Sequence, residues 1–216
     1  MSQWNIAAAQ YAGQHHSVDD PVARHLCFIA EAARQQCDLL VFPELSLTGS
    51  GTTVLPPPPS DAQLEPLLDA AHFYQITLIA GLPLERNGQR QKGLALFTPS
   101  SQGILRYPQG SGASLVPGDK QLSIIDAHTD SPNLDSQAAL FTSCQSVVDY
   151  RWRQSIRTLQ RFAHKYAIAV LMANACGGSA LWDERGQLIV RADKGELLLT
   201  GTLGRQGWQG DIIPLG

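Results

Sequence analysis

The stretch LLVFPELSLTG, residues 39–49, runs from apolar residues into a proline and a carboxylate, Glu44. A short continuous apolar run is typical of a buried strand, and a proline ends such a run. Upstream, WNIAAAQ at residues 4–10 has the length of a strand, and residues 21–36 repeat apolar positions at helical spacing. The order strand, helix, strand predicts an α/β fold with a parallel sheet covered by helices.

The remaining segments continue this alternation. Ser60, with Gln63 three residues later, has the spacing of a capping box and predicts the start of a second helix. Apolar residues on one face predict a third helix over residues 149–165. Further strands are predicted at residues 76–84, 93–99, 104–108, 121–125, 138–143, 167–174, 179–192 and 195–201. We expect one domain over residues 1–216, with a loop at 108–120 and a glycine-rich tail from about residue 201.

The composition and net charge of the chain argue against nucleic acid and anionic membranes as binding partners. The 216 residues are 44% hydrophobic and 16% charged, with a formal net charge of -3, so no strong positive field would attract nucleic acid or an anionic membrane. The arginines of the third helix lie largely off its apolar face, which is typical of a solvated surface. We find neither a signal-peptide pattern nor an apolar run long enough to span a membrane, so we expect a soluble, cytoplasmic protein. Four cysteines without C-x-x-C spacing indicate neither a zinc site nor a redox motif, and we expect no cofactor.

Four short motifs occur in order along the chain. They are Ala-x-x-Gln at residues 7–10, Phe-Pro-Glu at 42–44, Ala-Asn followed by glycines at 173–178, and Ser-Ala-x-Trp-Asp-x-x-Gly at 179–186. In this order they resemble the nitrilase or carbon-nitrogen hydrolase superfamily, over about residues 4–202. The resemblance implies an α-β-β-α four-layer sandwich that pairs into a homodimer.

The resemblance also implies a chemistry: a cysteine nucleophile, a glutamate general base and a lysine that stabilises the oxyanion. Glu44 occupies the position of the base. Alignment by motif places Gln109 at the position of the lysine and Asp126 at the position of the cysteine. Lys92 and Lys120 flank the region, and we expect both to be solvated surface lysines.

Two other groups of residues could take part. Cys144 directly follows the strand predicted at 138–143 and is a candidate for a relocated nucleophile, although a small thiol packed at a strand end is the favoured interpretation. Asp126, His128 and Asp130 alternate as metal ligands on an extended segment would, but a polar loop beside the pocket is favoured, and we expect no metal.

Two functional hypotheses follow. The first is a catalytically degenerate carbon-nitrogen hydrolase that keeps the fold and a small-molecule pocket, with Gln109, Asp126 and His128 lining it. Such a protein would bind a small amide or carboxylate, or serve as an assembly partner. The second is an active amidase with Glu44 as base and Cys144 as nucleophile.

Overall fold

The computed structural model describes residues 3–11, 19–49, 54–111, 113–115, 122–124 and 138–215. Within these ranges the chain forms three helices and thirteen strands. The helices are α1 (Asp19–Arg34), α2 (Asp61–Tyr74) and α3 (Asp149–Tyr166). The strands are β1 (Trp4–Gln10), β2 (Leu39–Val41), β3 (Thr77–Arg86), β4 (Gln89–Phe97), β5 (Leu105–Pro108), β6 (Ala113–Leu115), β7 (Leu122–Ile124), β8 (Leu140–Gln145), β9 (Ala169–Asn174), β10 (Ala180–Trp182), β11 (Leu188–Arg191), β12 (Leu197–Gly204) and β13 (Gly207–Pro214).

The strands form two sheets. The larger sheet has the order β13-β12-β1-β2-β3-β4-β5, and the smaller has the order β11-β10-β9-β8-β7-β6. In the larger sheet β1, β2 and β3 are parallel, as the strand-helix-strand pattern predicted. In the smaller sheet β7, β8 and β9 are parallel, and antiparallel hairpins flank both parallel cores.

Three apolar clusters separate four layers. In β1, Ala7 and Ala9 face the cluster shared with α1 and α2, whereas Ile6 and Ala8 face the cluster shared with the smaller sheet. The third cluster packs the other face of the smaller sheet against α3. Because alternate residues of a strand point to opposite faces, a strand that is apolar on both faces is covered on both sides. The predicted α-β-β-α sandwich is therefore confirmed.

The start of α2 is also as predicted. The Gln63 amide donates to the Ser60 hydroxyl at 3.3 Å, and the Ser60 amide donates to the Gln63 side-chain oxygen at 3.0 Å. Two segments contain more regular structure than their sequence indicated: β6 lies inside the predicted loop at 108–120, and the glycine-rich tail contributes β13 to the larger sheet. Among the described residues we find no helix that is both long and apolar enough to cross a membrane.

Candidate active site

Glu44 lies on a tight turn at the end of β2. The turn is closed by the Thr48 and Gly49 amides, which donate to the Leu45 carbonyl at 3.0 and 2.8 Å. Leu45 has a φ of 52°, a left-handed conformation that is costly for a side chain of this kind. The turn rests on Gly81 of β3, since a Cβ at that position would come 2.3 Å from the Leu45 nitrogen. The strand β2 therefore ends in a tight turn that is packed against β3 and carries Glu44.

Both carboxylate oxygens of Glu44 accept hydrogen bonds from side chains. The Lys92 ammonium donates to Oε1 at 2.7 Å, and the Gln109 amide nitrogen donates to Oε2 at 2.9 Å. The Glu44 side chain is 17% exposed and that of Lys92 is 48% exposed, so the pair lies at the edge of solvent. Because a carboxylate only accepts hydrogen bonds, it orients the Gln109 amide with its nitrogen toward Glu44.

The β4–β5 hairpin brings the two donors together. In its register Gly93 is opposite Pro108, and the Gln109 amide donates to the Lys92 carbonyl at 3.0 Å, so residues 92 and 109 are neighbours across the hairpin. Gln109 thus contacts Glu44 at the position where the resemblance implied a lysine. Lys120, the other lysine expected at the surface, lies outside the described residues, whereas Lys92 is exposed as expected but its ammonium also forms an ion pair with Glu44. Pairing the predicted strands at 93–99 and 104–108 residue by residue would have been the signal for this contact.

Cys144 lies near the Glu44 turn but within the sandwich. It is 1% exposed and belongs to the apolar cluster between the two sheets. The carbonyl of the next residue, Gln145, accepts from the Glu44 amide at 3.4 Å and from the Ala175 amide at 3.1 Å. The end of β8 therefore adjoins the turn that carries Glu44, and the role of Cys144 as a nucleophile stays a prediction.

The other predicted site residues, Asp126 and His128, lie outside the described residues, as does Asp130. Within the described part of the chain we find no group of three or more His, Cys, Asp or Glu side chains arranged to hold a metal ion.

Asn174, from the Ala-Asn motif, holds the segment that follows β8. Its side-chain nitrogen donates to the Val147 carbonyl at 3.0 Å and to the Gly177 carbonyl at 2.5 Å, and its side-chain oxygen accepts from the Val147 amide at 2.8 Å. Asn174 is fully buried, and these bonds satisfy the buried Gly177 carbonyl and the partly buried backbone groups of Val147. The motif thus has a structural role beside the Glu44 turn.

Comparison with known proteins adds to this geometry. The sequence pattern of the carbon-nitrogen hydrolase family matches residues 5–109, a range that contains Glu44, Lys92 and Gln109. Among solved structures, an amidase from Nesterenkonia sp. is 19% identical, with 91% of this chain and 89% of that chain covered and a TM-score of 0.74. Nit3 of Saccharomyces cerevisiae, a member of branch 10 of the nitrilase superfamily, is 16% identical, with 95% and 91% covered and a TM-score of 0.77.

A further structure belongs to a variant of the amidase from Nesterenkonia sp. AN1. It is 19% identical to this chain, with 91% of this chain and 92% of that chain covered and a TM-score of 0.72. It shows the result of Michael addition of acrylamide at the active site cysteine of that protein. At these identities the structural similarity establishes a common fold.

Proposed function

Since the chain is a member of the carbon-nitrogen hydrolase superfamily, we propose that its Glu44 site binds a small amide or carboxylate without ordinary turnover. The observation that carries the proposal is the contact of Lys92 and Gln109 with the two oxygens of Glu44. The carboxylate of Glu44, the ammonium of Lys92 and the side-chain amide of Gln109 lie together and offer both hydrogen-bond acceptors and donors to a small polar ligand.

Lys92 supports the binding part of this proposal. Its ammonium has three N–H groups, of which Glu44 accepts one, and about half of the side chain is exposed. A ligand carbonyl or carboxylate oxygen could therefore accept from Lys92 while the ion pair is kept. In this way Lys92 supplies the positive charge that Gln109 does not carry.

The surroundings of Cys144 support the absence of ordinary turnover. A cysteine acts as a nucleophile through its thiolate, and reactive cysteines lie in partly exposed, electropositive surroundings. Cys144 instead belongs to the apolar cluster between the sheets and is 1% exposed. The motif order that the sequence shares with the family also predicts Asp126, which lies outside the described residues, at the position of the family's nucleophile.

Binding can be tested with acetamide and acetate as probes, by two-dimensional amide NMR of the ¹⁵N-labelled protein. We expect saturable shifts of the residue 92 and 109 amides in the native protein, and loss of saturation in Lys92→Ala and Glu44→Gln. Lys165→Ala removes an exposed lysine on α3 and serves as the matched control, with native behaviour expected. Unchanged titrations in Lys92→Ala would contradict the proposed site, and ammonia release from acetamide would contradict the absence of turnover.

A second candidate is amide hydrolysis, favoured by the hydrogen bond from the Glu44 amide to the carbonyl that follows Cys144. In this reaction Glu44 takes the thiol proton and the sulfur attacks the amide carbon. The C–N bond then breaks as the proton passes to nitrogen, which leaves as ammonia, and water hydrolyses the thioester to an acid and the free thiol.

Iodoacetamide labelling at near-neutral pH, mapped by peptide mass spectrometry, separates the two candidates. Hydrolysis requires selective labelling of Cys144 that falls in Glu44→Gln, whereas the binding protein should label first at Cys27, which is exposed on α1. Labelling of Cys144 that is slow and independent of Glu44 would exclude the second candidate.

A further inference from the structure

A buried polar cluster lies directly behind the Glu44 turn. Its members are Tyr11, His25 and Ser46, which are 4%, 0% and 6% exposed. Aromatic rings surround it: Phe28 lies 5.2 Å from Tyr11 and Phe42 lies 4.0 Å from His25, between ring centroids. Burying a polar group among aromatic rings costs free energy unless the group is hydrogen-bonded, so each member of the cluster is expected to make hydrogen bonds.

His25 links α1 to the turn. Its Nδ1 lies 2.6 Å from the Pro21 carbonyl, which can only accept, so Nδ1 carries the proton and donates. Nε2 of the neutral ring is then an acceptor, and the Ser46 hydroxyl donates to it at 3.1 Å. His25, from α1, thereby holds the side chain of Ser46, which lies two residues after Glu44.

Tyr11 holds the same residue through its backbone. The Tyr11 hydroxyl donates to the Ser46 carbonyl at 3.0 Å, and its oxygen is 3.2 Å from His25 Nδ1. Burial raises the pKa of Tyr11 above its ordinary value, so the phenol stays protonated and remains a donor. Ser46 is therefore held at its hydroxyl by His25 of α1 and at its carbonyl by Tyr11, which follows β1.

The turn requires such support because one of its residues has an energetically unfavourable backbone conformation. Leu45, between Glu44 and Ser46, has the left-handed φ of 52°, and conformations of this kind persist when their surroundings over-determine them. The Leu47 amide adds one further tie by donating to the Gly81 carbonyl at 3.0 Å. With Ser46 fixed, the carboxylate of Glu44 is brought within reach of Lys92 and Gln109.

We infer that Tyr11 and His25 are positioning residues, which hold Ser46 and thereby set the place of Glu44 against Lys92. The inference concerns the geometry of the Glu44 site and does not depend on which ligand binds there or on whether hydrolysis occurs. The positioning role of Tyr11 and His25 can therefore be disproved while the proposed function holds, and the proposed function can be disproved while the positioning role holds.

The test measures the ion pair itself, through acetylation of Lys92 by acetic anhydride at pH 8 in the folded protein. Glu44→Gln defines the rate for an unpaired Lys92. We expect Tyr11→Phe and Ser46→Ala to raise the Lys92 rate toward that reference, by about two- to fivefold, the range that loss of a partly exposed ion pair supports. Lys165, on α3, is the internal reference within each sample and should keep its native rate.

Two control variants separate positioning from a general loss of stability. Tyr74→Phe and Ser101→Ala remove a phenol and a serine hydroxyl away from the Glu44 turn, and Lys92 should react in them as in the native protein. If Tyr11→Phe does not fold by circular dichroism, Ser46→Ala decides, because it removes one hydroxyl and leaves the carbonyl that Tyr11 contacts. A native Lys92 rate in folded Ser46→Ala would overturn the inference, even if that variant were less stable.

Discussion

At the scale of single residues, the Glu44 turn depends on the absence of a side chain beneath it. Gly81 lies against the backbone of residues 43–45, where a Cβ would come 2.6 Å from the Pro43 oxygen and 2.8 Å from the Glu44 carbonyl carbon. Real Cβ atoms do not approach backbone so closely, so the turn or the strand must shift. The strand cannot shift easily because β3 is paired on both sides, with β2 and β4.

We therefore predict that Gly81→Ala displaces the turn and weakens the Glu44–Lys92 pair. The variant should lose about 1–4 kcal/mol of unfolding free energy, as forced packing in a core does. It should also raise the acetylation rate of Lys92. Urea denaturation and peptide mapping measure the two effects. Gly103→Ala is the matched control, because nothing lies within 4 Å of a Cβ there, and equal behaviour of the two variants would contradict the prediction.

At the scale of elements, the site is a property of the β4–β5 hairpin as much as of any one residue. The motif around Glu44 could be predicted from the sequence because it ends an apolar run, and Gln109 could be placed by the resemblance to the family's motif after the hairpin strand. Lys92 could not be placed in the same way, since its contact depends on which residues of two strands are opposite each other. The short strand β6 was missed for a similar reason: three residues become a strand only through pairing with β7.

The hairpin register makes a testable exchange possible. Lys92→Gln alone should cost about 0.2–1 kcal/mol of unfolding free energy, because Glu44 loses its partner of opposite charge. In the double variant Lys92→Gln with Gln109→Lys, an ammonium returns to the neighbouring position and Glu44 again has one amide and one ammonium donor. We expect the double variant to recover most of the loss in urea denaturation at low salt. If the two substitutions were simply additive and destabilising, residues 92 and 109 would not be interchangeable partners of Glu44.

At the scale of the whole molecule, the two sheets are joined by a buried side chain as well as by apolar packing. Gln10 ends β1 in the larger sheet and is fully buried. Its nitrogen donates to the carbonyls of Asp193 and Gly195 at 2.9 and 3.1 Å, in the connection from β11 to β12, and its oxygen accepts from the Ser179 amide at 3.0 Å, just before β10. The Ala-x-x-Gln motif thus marks a link between the sheets, which its sequence alone did not reveal.

Gln10→Leu tests this link, because leucine fills a similar volume and leaves the buried Ser179 amide without its partner, while the Asp193 carbonyl still accepts from the Gly178 amide. A buried group that loses its hydrogen bond costs about 1–3 kcal/mol, so we predict a loss of that size in unfolding free energy by urea denaturation. Gln102→Leu, at an exposed position in the β4–β5 connection, makes the same chemical change on the surface and should change stability by less than about 0.5 kcal/mol. Similar losses in the two variants would mean that Gln10 does not join the sheets. A large loss confined to Gln10→Leu would mean that the sandwich depends on a polar contact as well as on its apolar interior.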